Sequence, residues 1–135
     1  MSFLLDTNVV SELTKARPNP KVITWLGSVP STDLFLSVIT VGEIRKGIEK
    51  KRLISLQDAA RLEAWFTTLV LRYRSRILSF DEQSADQWGR VMALYPTVPV
   101  EDGQLVATAL LHHLTFATRN VRHIAPDRVA FVDPF

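Results

Sequence analysis

The chain has no cysteine among its 135 residues. That excludes disulfides and zinc–thiolate centres, and it fits a reducing compartment. No apolar run approaches the roughly 18 residues of a membrane span, so a soluble protein without membrane attachment is expected. The opening MSFLLD puts no basic residue ahead of its apolar stretch and reaches an acid at Asp6. This is not the pattern of a signal peptide, and a cytoplasmic location is expected. No repeat, low-complexity segment or linker interrupts the chain, and its length suits one ordinary domain able to bury most of an apolar core. A dominant charge is also missing, since 16 Lys and Arg against 14 Asp and Glu leave a net +2, which permits nucleic-acid binding without demanding it. No set of Ser, Cys and His suggests a nucleophilic triad.

What is present is an alternation of short apolar runs and longer periodic segments. Residues 3–5 read as a strand, and Asp6 with Thr7 can cap a helix over 8–15. Asn19 followed by Pro20 starts a second helix, with Val22, Ile23, Trp25 and Leu26 as its buried stripe. Residues 34–39 read as a buried strand. Thr40 then starts a helix on which Val41, Ile44 and Ile48 share a face. Ser55 and Asp58 open a longer helix carrying Leu56, Ala59, Leu62, Phe66, Leu69 and Tyr73 at helical spacing. A third strand covers 77–80, and Asp81 caps a helix running to about residue 94. Residues 95–100, with Pro96 and Pro99, are expected to be extended. A helix over 102–113 and strands over 114–118 and 130–132 complete the pattern. Strands alternating with helices imply an α/β fold with a mostly parallel sheet covered on both faces.

Three acids stand where helices begin beside apolar segments: Asp6 in FLLDTNVVSEL, Glu43 in SVITVGEIRKGI and Asp102 in VEDGQLVATAL. In a parallel sheet, helix N-termini and strand C-termini share the edge where ligands bind, which brings Asp6 and Glu43 together. Asp102 follows a helix instead of a strand. A 13-residue helix descends ~20 Å and seven extended residues climb ~23 Å, so the proline-bearing loop can return Asp102 to the same edge. Each acid also has a plainer role. Asp6 suits a helix dipole, Glu43 fits a capping box begun at Thr40, and Asp102 with Glu101 can decorate a helix start. Carboxylates gathered together repel, and a shared proton or a bound Mg²⁺ or Mn²⁺ relieves them. Such an ion activates water against a phosphodiester.

The remaining polar residues are less pointed. Asp58, Asp81 and Asp86 read as helix-start or surface acids, and Glu12 as an exposed helix residue first and a support for Asp6 second. His112 and His113 are adjacent and make no ligand pair, and His123 reads as a surface residue in reach of phosphate. Trp25, Trp65 and Trp88 read as core or interface. Basic residues cluster at Arg45, Lys46, Lys50, Lys51 and Arg52, at Arg72, Arg74 and Arg76, and at Arg119 and Arg122 around Asn120. These are either solvated faces or a positive surround for a polyanion. Arg45, Lys46, Arg119 and Arg122 are the candidate backbone contacts, and Thr7 is a candidate donor to a ligating carboxylate or a phosphate.

With LLDTNVVSEL at 4–13, SVITVGEIRKGI at 37–48, DGQLVATALLHHLTFATRN at 102–120 and the closing VDPF, the chain resembles the PIN-domain ribonucleases. The likeness is strongest to VapC-like toxins of type II toxin–antitoxin modules and their FitB-like relatives, and it covers essentially residues 1–135 as a single PIN-like domain. It implies a three-layer α/β/α sandwich around a five-stranded sheet, Mg²⁺- or Mn²⁺-dependent endoribonuclease activity, a homodimer or higher oligomer, and inhibition by a small VapB-like antitoxin. Residue by residue, Asp6, Glu43 and Asp102 match the family's metal-centred acids. Asn120 falls where many relatives carry a fourth acid, and His123 where an aspartate often follows. An amide oxygen coordinates Mg²⁺ more weakly than a carboxylate, which bears on a second ion. In the mechanism so implied, Asp6 and Asp102 bind the ion, Glu43 binds or orients the attacking water, and Asn120 positions water or phosphate. Two other readings stay open. One is a catalytically weak RNA- or partner-binding module of the same fold. The other is a haloacid-dehalogenase-like phosphatase, which wants a second aspartate where this chain has Asn8.

Overall fold

Five short strands, paired in parallel throughout, form the centre of the computed structural model, which describes residues 1–120 and 129–135. β1 (Phe3–Leu5) lies in the middle. β2 (Leu34–Ser37) and β3 (Ile77–Leu78) lie on one side of it, and β4 (Thr115–Ala117) and β5 (Phe131–Val132) on the other. Phe3 is in register with both Leu34 and Thr115. A wholly apolar central strand is what burial on both faces requires. Leu4 packs into one core with Leu105, Val106 and Phe116, and Leu5 into the other with Val9, Ile44 and Phe66. The expected α/β sandwich with its five-stranded parallel sheet is the fold observed. Because the chain leaves β1 toward β2 and returns to β4 on the opposite side, the C-terminal ends of β1 and β4 border a topological switch point.

Among the described residues six α-helices flank the sheet: α1 (Thr7–Ser11), α2 (Pro20–Ser28), α3 (Val38–Arg52), α4 (Leu56–Tyr73), α5 (Glu82–Leu94) and α6 (Val100–Leu111). Asp6, Asn19, Ser55 and Asp81 occupy the caps expected of them, each accepting a backbone N–H of the first turn. Trp25 meets Phe3 edge to face at 5.0 Å, as a core tryptophan should. No helix among the described residues is long and apolar enough to cross a membrane.

The structure departs from the sequence reading in several places. β2 ends at Ser37, whose hydroxyl accepts the Ile39 amide at 3.0 Å, so α3 starts at Val38 and Thr40 is fully buried inside its first turn. The β-branched pair Val38 and Ile39 reads as strand, but the serine cap decides the boundary. Glu43 consequently lies beyond the capping position, and the capping box begun at Thr40 does not form. Leu56 is 73% exposed and Ile23 also faces solvent, so neither belongs to its buried stripe.

Glu12 is not exposed but 4% accessible. It accepts the Asn19 amide at 2.8 Å and pairs with Lys15 at 2.8 Å, closing the loop that leads to α2. Lys15 first, then the Asn19 amide, hold its carboxyl below the usual range.

Residues 95–99 do not extend. The Val98 amide donates to the Tyr95 carbonyl at 3.1 Å, and the chain turns directly from α5 into α6. Asp81, at the start of α5, is kept ionised first by the Ser84 amide and hydroxyl and also by His112 at the far end of α6. Trp88 and Met92 meanwhile crowd Gly103 near the α6 start. The two helices therefore form an antiparallel hairpin, and α5 ends where Asp102 begins without any long climb. A Cβ on Gly103 would stand 2.5 Å from the Met92 sulfur, so glycine permits this close approach. At the other end of α6, the amides of His113 and Leu114 donate to the carbonyls of Leu110 and Ala109, with His113 at φ 56°. This is a Schellman cap with histidine in the left-handed position usually given to glycine.

Candidate functional site

Asp6 stands at the junction of β1 and α1. Its amide donates to the Ala117 carbonyl at 2.9 Å, tying β1 to β4, while its carbonyl starts α1. The side chain is 4% exposed. Oδ1 accepts the Thr7 amide at 2.7 Å, and Oδ2 accepts the Thr118 hydroxyl at 2.6 Å and the Asn8 amide group at 3.2 Å. Thr118 is fully buried and in turn accepts the Asn120 amide at 2.9 Å. Burial pushes the Asp6 carboxyl above its ordinary range and the negative charge of Asp102 adds to the rise, against the pull of the Thr118, Thr7 and Asn8 hydrogen bonds.

Glu43 reaches the same edge from the second turn of α3. Its Oε1 accepts the Thr7 hydroxyl at 2.8 Å, with the Thr40 hydroxyl 3.3 Å from that same oxygen of Thr7. Thr7 thus holds both acids, Asp6 through its amide and Glu43 through its hydroxyl. Burial raises the Glu43 carboxyl first, and Asp6 and Glu101 raise it further, while Thr7 and Lys46 oppose them. Asp102, in the first turn of α6, is close enough to Asp6 to disfavour its ionisation. Asp6, Glu43 and Asp102 are thereby drawn into one electrostatic neighbourhood with Glu101 at its rim. Among the described residues no three acid or histidine side chains stand at spacing that would enclose an ion outright. The donor chemistry nevertheless fits a hard divalent cation: the oxygens are carboxylate, burial raises the pKa of two of the groups, and no sulfur ligand lies beside them among the described residues.

The other candidates separate. Lys46 lines a cleft of about 430 Å³ together with Glu43 and Glu101. Asn120 is exposed beyond β4, next to Thr118. Arg119 lays its guanidinium 3.9 Å from the centre of the Phe135 ring. Arg122 and His123 lie outside the described residues.

Arg45 does not join the acids. Its guanidinium makes two 2.7 Å bonds to Glu63, a third of 2.9 Å to Glu49, and lies 5.0 Å from the Phe66 ring centre. Arg52 bonds to the same two glutamates. Two residues on from Glu43 is about 200° around a helix, so Arg45 faces α4 and clamps α3 to it instead of offering charge to a phosphate. Arg76 likewise donates to the Leu34 carbonyl at the start of β2, which places the 72–76 cluster at the edge opposite the acids. Two contributors escaped the sequence reading. Thr118 is visible in the sequence as the first residue of the Thr118-Arg119-Asn120 turn but without a role of its own, and Glu101 only as a neighbour of Asp102.

Residues 3–131 match the family model of the PIN domain. The chain is 36% identical over 143 aligned positions to "Toxin FitB" of Neisseria gonorrhoeae, covering 98% of each. It is 32% identical to "VapC ribonuclease Y4jK" of Sinorhizobium fredii, covering 98% of this chain and 97% of the relative. The crystal structure of FitAcB from Neisseria gonorrhoeae superposes with a TM-score of 0.90 at 34% identity, over 98% of this chain and 97% of that one.

Proposed function

The chain belongs to the PIN-domain family, and from that premise we propose that it is a metal-dependent endoribonuclease, the toxin of a type II toxin–antitoxin module. It hydrolyses RNA phosphodiesters and so arrests translation and growth, and a small VapB-like antitoxin holds it in check. It works in the cytoplasm as a single domain over residues 1–135, assembled as a homodimer or higher oligomer. The observation that carries the reading is Asp6, a nearly inaccessible carboxylate whose ionisation is opposed by burial and by Asp102. Three hydrogen bonds offset only part of the cost of burying this charge, and a cation at the switch point offsets the rest.

Asp6 and Asp102 are the residues that would hold Mg²⁺ or Mn²⁺, which when bound polarises phosphate and lowers the pKa of water. Thr118, Thr7 and Asn8 hold the Asp6 oxygens in fixed directions. Glu43 keeps one oxygen on Thr7 and has the other to orient the attacking water. Its raised pKa suits proton transfer closer to neutral pH than an ordinary glutamate allows. Asn120 positions water or phosphate, and Lys46 and Arg119 supply positive charge for the RNA backbone. Asn8 donates to Asp6 where a phosphatase of the haloacid-dehalogenase type wants an acid, which disfavours that chemistry.

The test is a calorimetric Mn²⁺ titration of the protein and of Asp6→Asn, beside a digest of single-stranded RNA. The wild type binds the ion and cuts, and the variant does neither. Binding of RNA without cleavage would instead support the catalytically weak module that an exposed Asn120 in place of a fourth acid allows. In cells, expression without antitoxin arrests growth and Asp102→Ala does not. Equal arrest by both would remove catalysis as the cause.

A further inference from the structure

The basic cluster of α3 is divided between two faces. Arg45 and Arg52 are spent on Glu49 and Glu63. Lys46 and Lys50 turn to the other flank, where they line the 430 Å³ cleft that opens on Glu43, and neither joins an ion pair among the described residues.

The same flank carries Gly42 and Gly47, both exposed, in the interior of a 15-residue helix. Glycine weakens a helix relative to alanine, so two of them invite a packing reason. Among the described residues there is none: a Cβ added at either position meets no heavy atom within 4 Å. Their effect is to leave bare helix backbone facing the cleft. Gly47 and Glu43 also border a second cavity of about 190 Å³ that reaches Thr7 and Ser11, so the bare patch lies between the two spaces, one turn beyond Glu43.

We propose that this flank of α3 is a track for the backbone of a single-stranded RNA, with Lys46 and Lys50 on successive phosphates and Gly47 letting the sugar–phosphate chain lie against the helix on its way to Glu43. The proposal rests on the ribonuclease reading and adds to it where the strand runs. Four residues of helix rise about 6 Å, which suits neighbouring phosphates of an extended strand. Two charges one turn apart on one flank follow one backbone, and contacts of this kind position RNA without selecting its sequence. A strand is favoured over an acidic peptide because the cleft opens directly on the carboxylates assigned to phosphodiester chemistry.

The experiment measures binding of a short labelled single-stranded RNA by fluorescence anisotropy in EDTA over a range of salt, with melting temperatures recorded for every variant. Lys46→Gln and Lys50→Gln should each weaken binding several-fold and each flatten the logarithmic salt dependence by about 0.7. Gly47→Gln fills the track while improving helix propensity, so binding should weaken several-fold with the melting temperature unchanged or higher. Unchanged affinity and salt slope in the double lysine variant would overturn the track, as would lysine substitutions that weaken an acidic peptide but not RNA. Mn²⁺-dependent cleavage by the wild type, measured beside these, separates the two ideas. Cleavage with lysine-insensitive binding leaves the ribonuclease standing and removes the track, whereas a wild type that neither binds nor cuts removes both.

Discussion

Thr118 donates its hydroxyl to Asp6 Oδ2 across 2.6 Å, joining residues 112 positions apart in the chain. The two follow neighbouring strands, and Thr118 is itself held by the Asn120 amide and by its own amide on the Val132 carbonyl. The last part of the sheet thus supports a single carboxylate oxygen, and substitution there tests whether Asp6 must be aimed.

Thr118→Val keeps the shape and removes the donor. With burial and Asp102 less opposed, the Asp6 carboxyl rises further. Mn²⁺ affinity should fall by about 10–100-fold, the usual effect of losing a partner that orients a ligand. The acid limb of the cleavage rate should move to higher pH, and Thr118→Ser should restore both. Unaltered Mn²⁺ titrations in the valine variant would show that the hydroxyl aims nothing.

Asp6 should weaken the metal-free fold at neutral pH. Its folded pKa lies above the unfolded value, so the native state binds more protons between the two, and stability falls as pH rises through that window. The loss is absent below the ordinary carboxylate range and complete above the folded pKa. Asp6→Asn, still able to cap α1, should therefore melt higher than wild type at pH 7, with the gap closing toward pH ~4. Mn²⁺ should raise the wild-type melting temperature and leave the variant where it was. A wild type that melts higher than the variant in EDTA at pH 7 would contradict this account.

His113→Gly should stabilise the protein. His113 holds φ 56° at the end of α6, and a side chain there costs about 1 kcal/mol that glycine avoids, less what glycine loses in chain entropy. The melting temperature should rise by a few degrees with metal binding unaffected, because the acids lie at the other end of α6.

Gly103→Ala should cost about 1–3 kcal/mol by overpacking, because the new Cβ meets the Met92 sulfur and the Trp88 indole. The flexible Met92 thioether yields first, and the strain it cannot absorb against the Trp88 indole at 3.3 Å falls on α6 and the adjacent Asp102, so Mn²⁺ affinity falls as well. Adding Met92→Ala makes room, and partial recovery of both properties in the double variant identifies the clash as the cause.

Local signals carried much of this. The short all-apolar Phe3–Leu5 ahead of a helix cap reads as a buried strand, and caps such as Asp6, Asn19, Ser55 and Asp81 mark their helices because a cap satisfies amides within three residues of itself. Where two local signals competed, the reading failed. Val38 and Ile39 have strand character and outweighed Ser37, and the two prolines near residue 97 suggested extension where the chain turns.

By itself the sequence determined that strands and helices alternate around a parallel sheet, and hence that Asp6 and Glu43 share the edge where strands end and helices begin. Tertiary structure alone decided that Arg45 serves Glu63, that Glu12 is buried, that α5 and α6 form a hairpin delivering Asp102, and that Thr7 and Thr118 hold the acids. Periodicity and capping act over a few residues and are written in the order of side chains. The choice of partner for a charge or a hydroxyl depends on which distant surfaces are packed together, and it exists only once the sheet has closed.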